Sequence, residues 1–214
     1  MTSSTDLAAL LCSRLCHDML SPVGALSNGL ELLADEKDPE MRRRCFELLE
    51  QSARISADKL KFFRLAYGAA GGFGDEVPTE EPRELIAGLV AGNERLTLEW
   101  AVADATLPKP AVKVLLNLAA IAIDALIRGG TLAVGAERRD GATEIAVRAS
   151  GPRVAFDANI GKALDGSLTE SELSGKTAPA HMIRLLAREL GGGLQYAMSA
   201  EALVMGAILP DSAS

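Results

Sequence analysis

Apolar residues in the first 67 positions recur at alternating steps of three and four. The first run is Ala9, Cys12, Cys16, Met19, Val23, Leu26, Leu30 and Leu33. This spacing is that of a heptad seam and predicts a long helix, for which Thr5 before Asp6 is the expected N-cap. Asp38-Pro39 is typical of a turn and a new helix start, and a second periodic run extends to Tyr67. The N-terminal part is therefore predicted to be a helical hairpin.

Several leucines of this hairpin lie off the seam. They are Leu10, Leu11, Leu20 and Leu48. A single helix pair cannot bury apolar residues that point in more than one direction, so the pattern predicts pairing with a second copy. The expected product is a dimeric four-helix bundle.

Beyond a glycine-rich stretch at 68–74, helical and strand patterns mix. Helices are predicted at 82–91, 110–127 and 179–190, and strands at 96–102, 132–137, 144–149, 194–199 and 202–209. Asp140-Gly141 between two strand patterns predicts a hairpin turn. The predicted fold is α+β, with helices on one face of a mostly antiparallel sheet. We predict a helical hairpin at 1–70, a linker at 71–77 and an α/β sandwich at 78–214.

Composition and charge narrow the class of protein. The chain has 214 residues, with 22 basic and 29 acidic side chains and a net charge of −7, which argues against binding nucleic acid by phosphate neutralisation. The most apolar stretch, 114–127, is short and contains Asn117 and Asp124, so no membrane span is expected. Three Cys fit reduced thiols better than a disulfide framework. We expect a soluble cytoplasmic protein.

His17 is the candidate for chemistry. It follows the seam residue Cys16, so it should lie at the edge of the apolar stripe and meet solvent. Its neighbours on the same face include Ser13, Ser21 and Gly24, small residues that leave room for another protein to approach. The other histidine, His181, follows Pro179 with no cluster of carboxylates or thiols around it and is interpreted as an ordinary polar residue.

Two charged residues flank this histidine. Arg14 offers a positive charge near any anionic group held there, and Asp18 can accept a proton or orient the imidazole ring. A neutral imidazole is a competent nucleophile and can take a phosphoryl group on one nitrogen while the other is fixed by a neighbour. Spacing alone does not decide this, because a lone surface histidine is most often only solvated.

Three segments resemble parts of histidine kinases. The string His17-Asp-Met-Leu-Ser-Pro22 resembles the phosphoacceptor box of dimeric kinase helices, His-(Glu/Asp)-x-x-(Ser/Thr)-Pro. Residues 115–121 resemble the asparagine box of the kinase ATPase domain, and 175–192 resemble its glycine-rich lid and following helix. Together they span nearly the whole chain.

The second part departs from the kinase pattern where nucleotide would bind. Ile121 stands where the resemblance implies the magnesium-coordinating asparagine, and Ala149 where it implies the aspartate that reads adenine. Arg153, Thr177 and Pro179 replace glycines, and proline supplies no N–H to a phosphate. The resemblance therefore implies a degenerate ATPase-like domain with no nucleotide site.

A phosphoacceptor hairpin joined to such a domain resembles the ChpT-type histidine phosphotransferases of alphaproteobacteria. That resemblance implies a cytoplasmic homodimer acting in cell-cycle control. His17 would accept phosphate from the receiver domain of a hybrid histidine kinase and pass it to response-regulator receivers, and Asp18 would orient or deprotonate the ring. Ser13, Arg14, Ser21 and Gly24 would line the docking surface. No cofactor is expected, since Mg²⁺ would come with the receiver.

Three alternatives remain open at this point. One is an active histidine kinase or kinase/phosphatase with a divergent ATP site. Another is a non-enzymatic dimeric scaffold. The third is a zinc site built from Cys12, Cys16, His17 and Cys45, although the i, i+4 pair of cysteines lies on the apolar seam, where thiols behave as small hydrophobes.

Overall fold

Two long helices form the N-terminal hairpin. The computed structural model describes residues 3–68 and 74–211, so positions 71–73 of the predicted linker lie outside the described residues. Helix α1 spans Ser4–Asp35 and α2 spans Pro39–Tyr67, and the two pack against each other. The predicted helical hairpin is confirmed.

The helix ends show which residues set the boundaries. Ser3, not Thr5, is the N-cap of α1, because its hydroxyl accepts a hydrogen bond from the Asp6 N–H. The Asp6 carboxylate accepts from Ser3 in return, which completes a capping box. The predicted cap was thus two residues late. Asp38 caps α2 by accepting from the Met41 N–H, with Pro39 in the first helical position.

The rest of the chain alternates helices and strands. The strands are β1 (Glu76–Pro78), β2 (Leu96–Val102), β3 (Thr106–Pro108), β4 (Gly130–Arg139), β5 (Ala142–Ser150), β6 (Gly193–Met198) and β7 (Ala202–Pro210). The helices are α3 (Glu80–Ala91), α4 (Lys109–Ala125), α5 (Ala158–Asp165) and α6 (Ala178–Glu189), with one 3₁₀ turn at Glu170–Glu172. The predicted helices and long strands are confirmed, whereas α5, β1 and β3 were not predicted. Strand β1 also takes up the last two positions of the predicted linker.

One five-stranded sheet organises this part, in the order β2-β4-β5-β7-β6. Strand β2 pairs parallel with β4, and the other pairs are antiparallel. Asp140 and Gly141 both have positive φ at the β4–β5 turn, as the predicted hairpin requires. Helices α4 and α6 cover one face, where alternate side chains such as Val134, Val147 and Met205 are buried. The α+β prediction is confirmed.

The end of α2 belongs to the same core as this sheet domain. Phe62, Phe63, Leu65 and Ala66 are buried in one cluster with the apolar side chains of α4. Because these residues leave water against another element, the hairpin is tied to the α/β part by apolar packing. The two parts are therefore in direct contact and are not connected by the linker alone.

Within the chain the heptad seam is only partly covered. Helix α1 buries Pro22 and Gly29 most deeply, and Gly29 lets Leu49 of α2 approach so closely that a Cβ there would lie 2.9 Å from its methyl group. Large apolar side chains stay exposed along both helices: Leu20, Val23, Leu30, Leu32, Phe46, Leu48, Ile55 and Leu60. Across residues 3–68 and 74–211, no helix has the length and apolar character to cross a bilayer.

Candidate functional site

His17 lies in the middle of α1 with its side chain 83% exposed. Its Nδ1 is 3.2 Å from Oδ1 of Asp18, the next residue along the helix. A carboxylate can only accept, so this contact favours the tautomer whose Nδ1–H donates to Asp18. The lone pair of the ring then resides on Nε2, which makes Nε2 the nucleophilic atom.

Asp18 is held on its other side by Arg14. The Arg14 Nε donates to Asp18 Oδ2 at 2.6 Å, one turn away on α1. Partial burial opposes the guanidinium charge, but the hydrogen bond and charge of Asp18 outweigh it and raise the pKa of Arg14. With one oxygen bound to Arg14, the carboxylate can present the other to His17.

The same arginine joins α1 to the sheet domain. Its Nη2 lies 3.4 Å from Oδ2 of Asp124, near the end of α4. The segment before α6 also approaches here, since a Cβ on Gly175 would lie 3.5 Å from the Leu10 carbonyl oxygen. The acceptor helix is therefore contacted directly by the second domain, close to His17.

Tyr67 closes this cluster from the end of α2. Burial raises the pKa of Tyr67 to about 12; the Arg14 charge opposes the shift, and the Asp18 and Asp124 carboxylates add to it. Its ring stacks on Phe63, with centroids 5.6 Å apart. The phenol thus lies within electrostatic range of the arginine that holds Asp18.

The predicted docking residues differ in how far they are exposed to solvent. Ser13 and Ser21 are exposed, and the space around the Gly24 Cα is open. Arg14, in contrast, is half-buried with its charge directed at Asp18 and Asp124. Arg14 thus pairs with two carboxylates of its own chain, which the sequence did not indicate, and its role in docking stays a prediction.

Lys59 of α2 was not singled out from the sequence. Its Nζ donates to the main-chain oxygen of Asp18 at 2.9 Å. Pro22 was a usable signal, because a proline inside a helix leaves the carbonyl four residues earlier without its N–H donor. The sequence could not show which side chain of the facing helix would supply one.

In the region that resembles the asparagine box, side chains face the interior. Asn117 is buried, and its amide donates to the Lys113 carbonyl of the same helix at 2.8 Å. Ile121 and Ala149 are buried among the apolar residues of the core. An isoleucine and an alanine offer neither a metal ligand nor a hydrogen bond to a base.

The lid-like region is also occupied by internal contacts. The Thr177 hydroxyl accepts from the Ser174 N–H at 2.9 Å and is buried. Pro179 is buried in the first turn of α6, and Arg153 is exposed after β5. None of these three is a glycine whose backbone could close around a phosphate.

The cysteines and the second histidine do not gather into a site. Cys12 and Cys16 are exposed, and Cys45 is buried. Within the described ranges, no group of three or more His, Cys, Asp or Glu side chains could hold a metal ion. His181 is half-buried, and burial, together with the Arg184 charge, lowers its pKa.

Comparisons with known proteins agree with this arrangement. A family model described as the histidine phosphotransferase C-terminal domain matches residues 79–202. The protein phosphotransferase ChpT of Brucella abortus (strain 2308) is 36% identical over 205 residues, which cover 96% of each chain. A 1.7 Å structure of a bacterial phosphotransferase superposes with a TM-score of 0.83 at 34% identity, covering 97% of this chain and 98% of that one. The chain is a phosphotransferase, and it belongs to the histidine phosphotransferase family.

Proposed function

We propose that His17 carries a phosphoryl group between two receiver domains in a multistep phosphorelay. The observation that supports this most is the exposed imidazole whose Nδ1 faces a carboxylate held in place by Arg14. Receiver domains carry the phosphoryl group on an aspartate, so donor and final acceptor are both carboxylates. The donor is the receiver of a hybrid histidine kinase, and the acceptors are response regulators of cell-cycle control.

The transfer balances without a further reactant. Nε2 of His17 attacks phosphorus in line, the N–P bond forms, and the acyl phosphate P–O bond breaks to release the donor aspartate as a carboxylate. Asp18 stabilises the positive charge that develops on the ring through the Nδ1–H. In the second half, the carboxylate of another receiver attacks the phosphohistidine, and the electron pair returns to Nε2. The protein supplies position and charge, and Mg²⁺ comes with the receiver.

The surface around His17 suits an approaching receiver. Ser13 and Ser21 are exposed on the same helix, and Gly24 has no bulk that would block access. We assign these residues to docking and place Arg14 at the base of the site, where it holds Asp18. Small side chains on a rigid helix allow different receivers to bind in turn.

The hairpin is proposed to form a homodimeric four-helix bundle in the cytoplasm. The exposed leucines, Val23 and Phe46 support this, because apolar side chains along two neighbouring helices are stabilised by a facing copy. Leu20→Glu with Val23→Glu should convert a dimer to a monomer in light scattering. A wild-type chain that already runs as a monomer would contradict the proposal.

No nucleotide site is proposed for the sheet domain, so the phosphoryl group must come from a partner. The internal bonding of Thr177 and the buried Ile121 and Ala149 support this. Radiolabelled ATP with Mg²⁺ should leave the purified protein unlabelled. Self-labelling would favour an autokinase instead.

The two histidines allow a matched test of the relay. A phosphorylated receiver incubated with the wild-type chain should give an acid-labile, base-stable label, and so should His181→Ala. His17→Ala should give none and should not pass phosphate to a second receiver. Continued transfer by His17→Ala would overturn the proposal.

A further inference from the structure

Pro22 creates a defect in α1 one turn after the phosphoacceptor. In a regular helix the N–H of residue 22 would donate to the carbonyl oxygen of residue 18, but proline has no N–H. The Asp18 carbonyl is therefore deprived of its helical partner. An unpaired, partly buried carbonyl oxygen is costly and leaves the local backbone less well fixed.

The Lys59 ammonium takes the place of that missing donor. Its Nζ lies 2.9 Å from the Asp18 oxygen and reaches it across the hairpin from α2. Among the described residues, no carboxylate lies within ion-pair distance of Lys59, so this carbonyl is its specific partner. Lys61, two positions on, instead extends toward solvent, with Asp58 at 3.7 Å.

Asp18 is consequently held at three separate atoms. Lys59 binds its main-chain oxygen, Arg14 binds Oδ2, and Oδ1 faces Nδ1 of His17. Only one fifth of the Asp18 side chain is exposed, against more than four fifths for His17. The backbone contact matters because a carboxylate on a short side chain can move only as far as its Cα permits.

We propose that Lys59 is a positioning residue for phosphotransfer. It replaces the peptide hydrogen bond that Pro22 removes, and so fixes the backbone of Asp18 at the distance that orients the imidazole. The inference rests on the proposed function of His17. It adds that phosphotransfer also depends on a residue of α2. Among the described residues of α2, no other side chain donates a hydrogen bond to Asp18.

The first experiment compares two lysines of the same helix. With phosphorylated receiver at saturating concentration, Lys59→Met should lower the maximal transfer rate by about tenfold, the effect of losing one charged hydrogen bond. The receiver concentration at half-maximal rate should not change, because Lys59 does not line the docking face. Lys61→Met should transfer at the wild-type rate, and Lys59→Arg should recover most of the loss.

The decisive experiment restores the peptide donor. In Pro22→Ala, the backbone N–H regained at position 22 can donate to the Asp18 oxygen, which makes the lysine redundant. Adding Lys59→Met to that background should therefore slow transfer by less than about twofold, whatever Pro22→Ala does alone. An equal loss in both backgrounds would mean that Lys59 acts through its charge or through general stability, and would overturn the proposal.

A spectroscopic measurement separates this inference from the relay itself. Asp-Met occurs once in the sequence, so ¹³C-Asp and ¹⁵N-Met labelling isolates the Asp18 carbonyl in one NMR signal. Lys59→Leu should shift that signal upfield and Lys61→Leu should not; Leu is used here because Lys59→Met would create a second Asp-Met pair at 58–59. If wild-type protein takes no phosphate yet the signal shifts, only the proposed function fails. If transfer is normal, the signal does not respond to Lys59→Leu and the rate does not respond to Lys59→Met, only the positioning role fails.

Discussion

Asp18→Asn is the substitution that most directly tests the chemistry at His17. An amide keeps the shape of the side chain but removes the negative charge, and its NH₂ group can donate to Nδ1. That contact favours the tautomer with the hydrogen on Nε2, where the lone pair is needed for attack. The change also removes the acceptor charge that holds Arg14 at 2.6 Å.

The size of the effect follows from distance and exposure. Hydrogen bonds to charged groups contribute about 1.5–3 kcal/mol to stability. The His17–Asp18 contact is long at 3.2 Å and the ring is 83% exposed, so the lower end applies. A loss of about 1.5 kcal/mol in transition-state stabilisation slows transfer roughly tenfold. Dimerisation should not change, because Asp18 faces Arg14 and Lys59 of its own chain.

The assay is rapid-quench transfer from a labelled receiver. Asp124→Asn is the matched control: it removes the other carboxylate near Arg14, at 3.4 Å, without touching the ring contact. It should slow transfer by less than about twofold, because exposed ion pairs contribute little. The reasoning fails if Asp18→Asn transfers at the wild-type rate, or if Asp124→Asn slows transfer equally.

Three further substitutions test the surroundings of the site. The pKa of Tyr67 is raised to about 12, so this residue contributes stability at any pH below about 10, the pKa of an unfolded tyrosine. That stability is lost as pH rises from about 10 to 12. Ultraviolet titration should show a phenolate step near pH 12, and Tyr67→Phe should abolish it. The Lys162 and Thr169 hydrogen bonds lower the pKa of Glu172 to about 2, so the stability it contributes should be lost as pH falls from about 4.3 through 2. NMR titration of the Thr169 amide should follow that loss, and Glu172→Gln should remove it. Leu116→Ala should cost about 2–5 kcal/mol in urea unfolding, because Leu116 is fully buried; a smaller loss would contradict its place in the core.

Sequence patterns predicted the large elements well, because long amphipathic helices and alternating strands have strong periodicity. The Asp38-Pro39 start and the Asp140-Gly141 turn were predicted correctly for a related reason: each depends on its own few residues. Strands β1 and β3 were missed because three residues carry no measurable period. Their pairing depends on Val77 meeting Leu107 across the chain.

The site was predictable only in part. His17 and Asp18 are neighbours in sequence, so a motif shows both. Lys59, Tyr67 and Asp124 reach them from other helices, and the register of the hairpin decides which side chains arrive. The pairing of Arg14 with Asp124 was not predicted for the same reason, since nothing local indicates that Asp124 will lie beside it.

The hairpin contacts the sheet domain in two places, and the two contacts differ in chemistry. At the end of α2 the contact is a cluster of buried apolar side chains that includes two phenylalanines, and added salt does not weaken it. At α1 it includes an exposed ion pair between Arg14 and Asp124, which ions in solution can screen, beside the approach of Gly175 to the backbone of Leu10. Rising ionic strength should therefore weaken the charged contact at α1 and leave the apolar contact at α2 unchanged. Because Asp124→Asn is expected to slow transfer by less than about twofold, screening of this ion pair should change the transfer rate by no more than that.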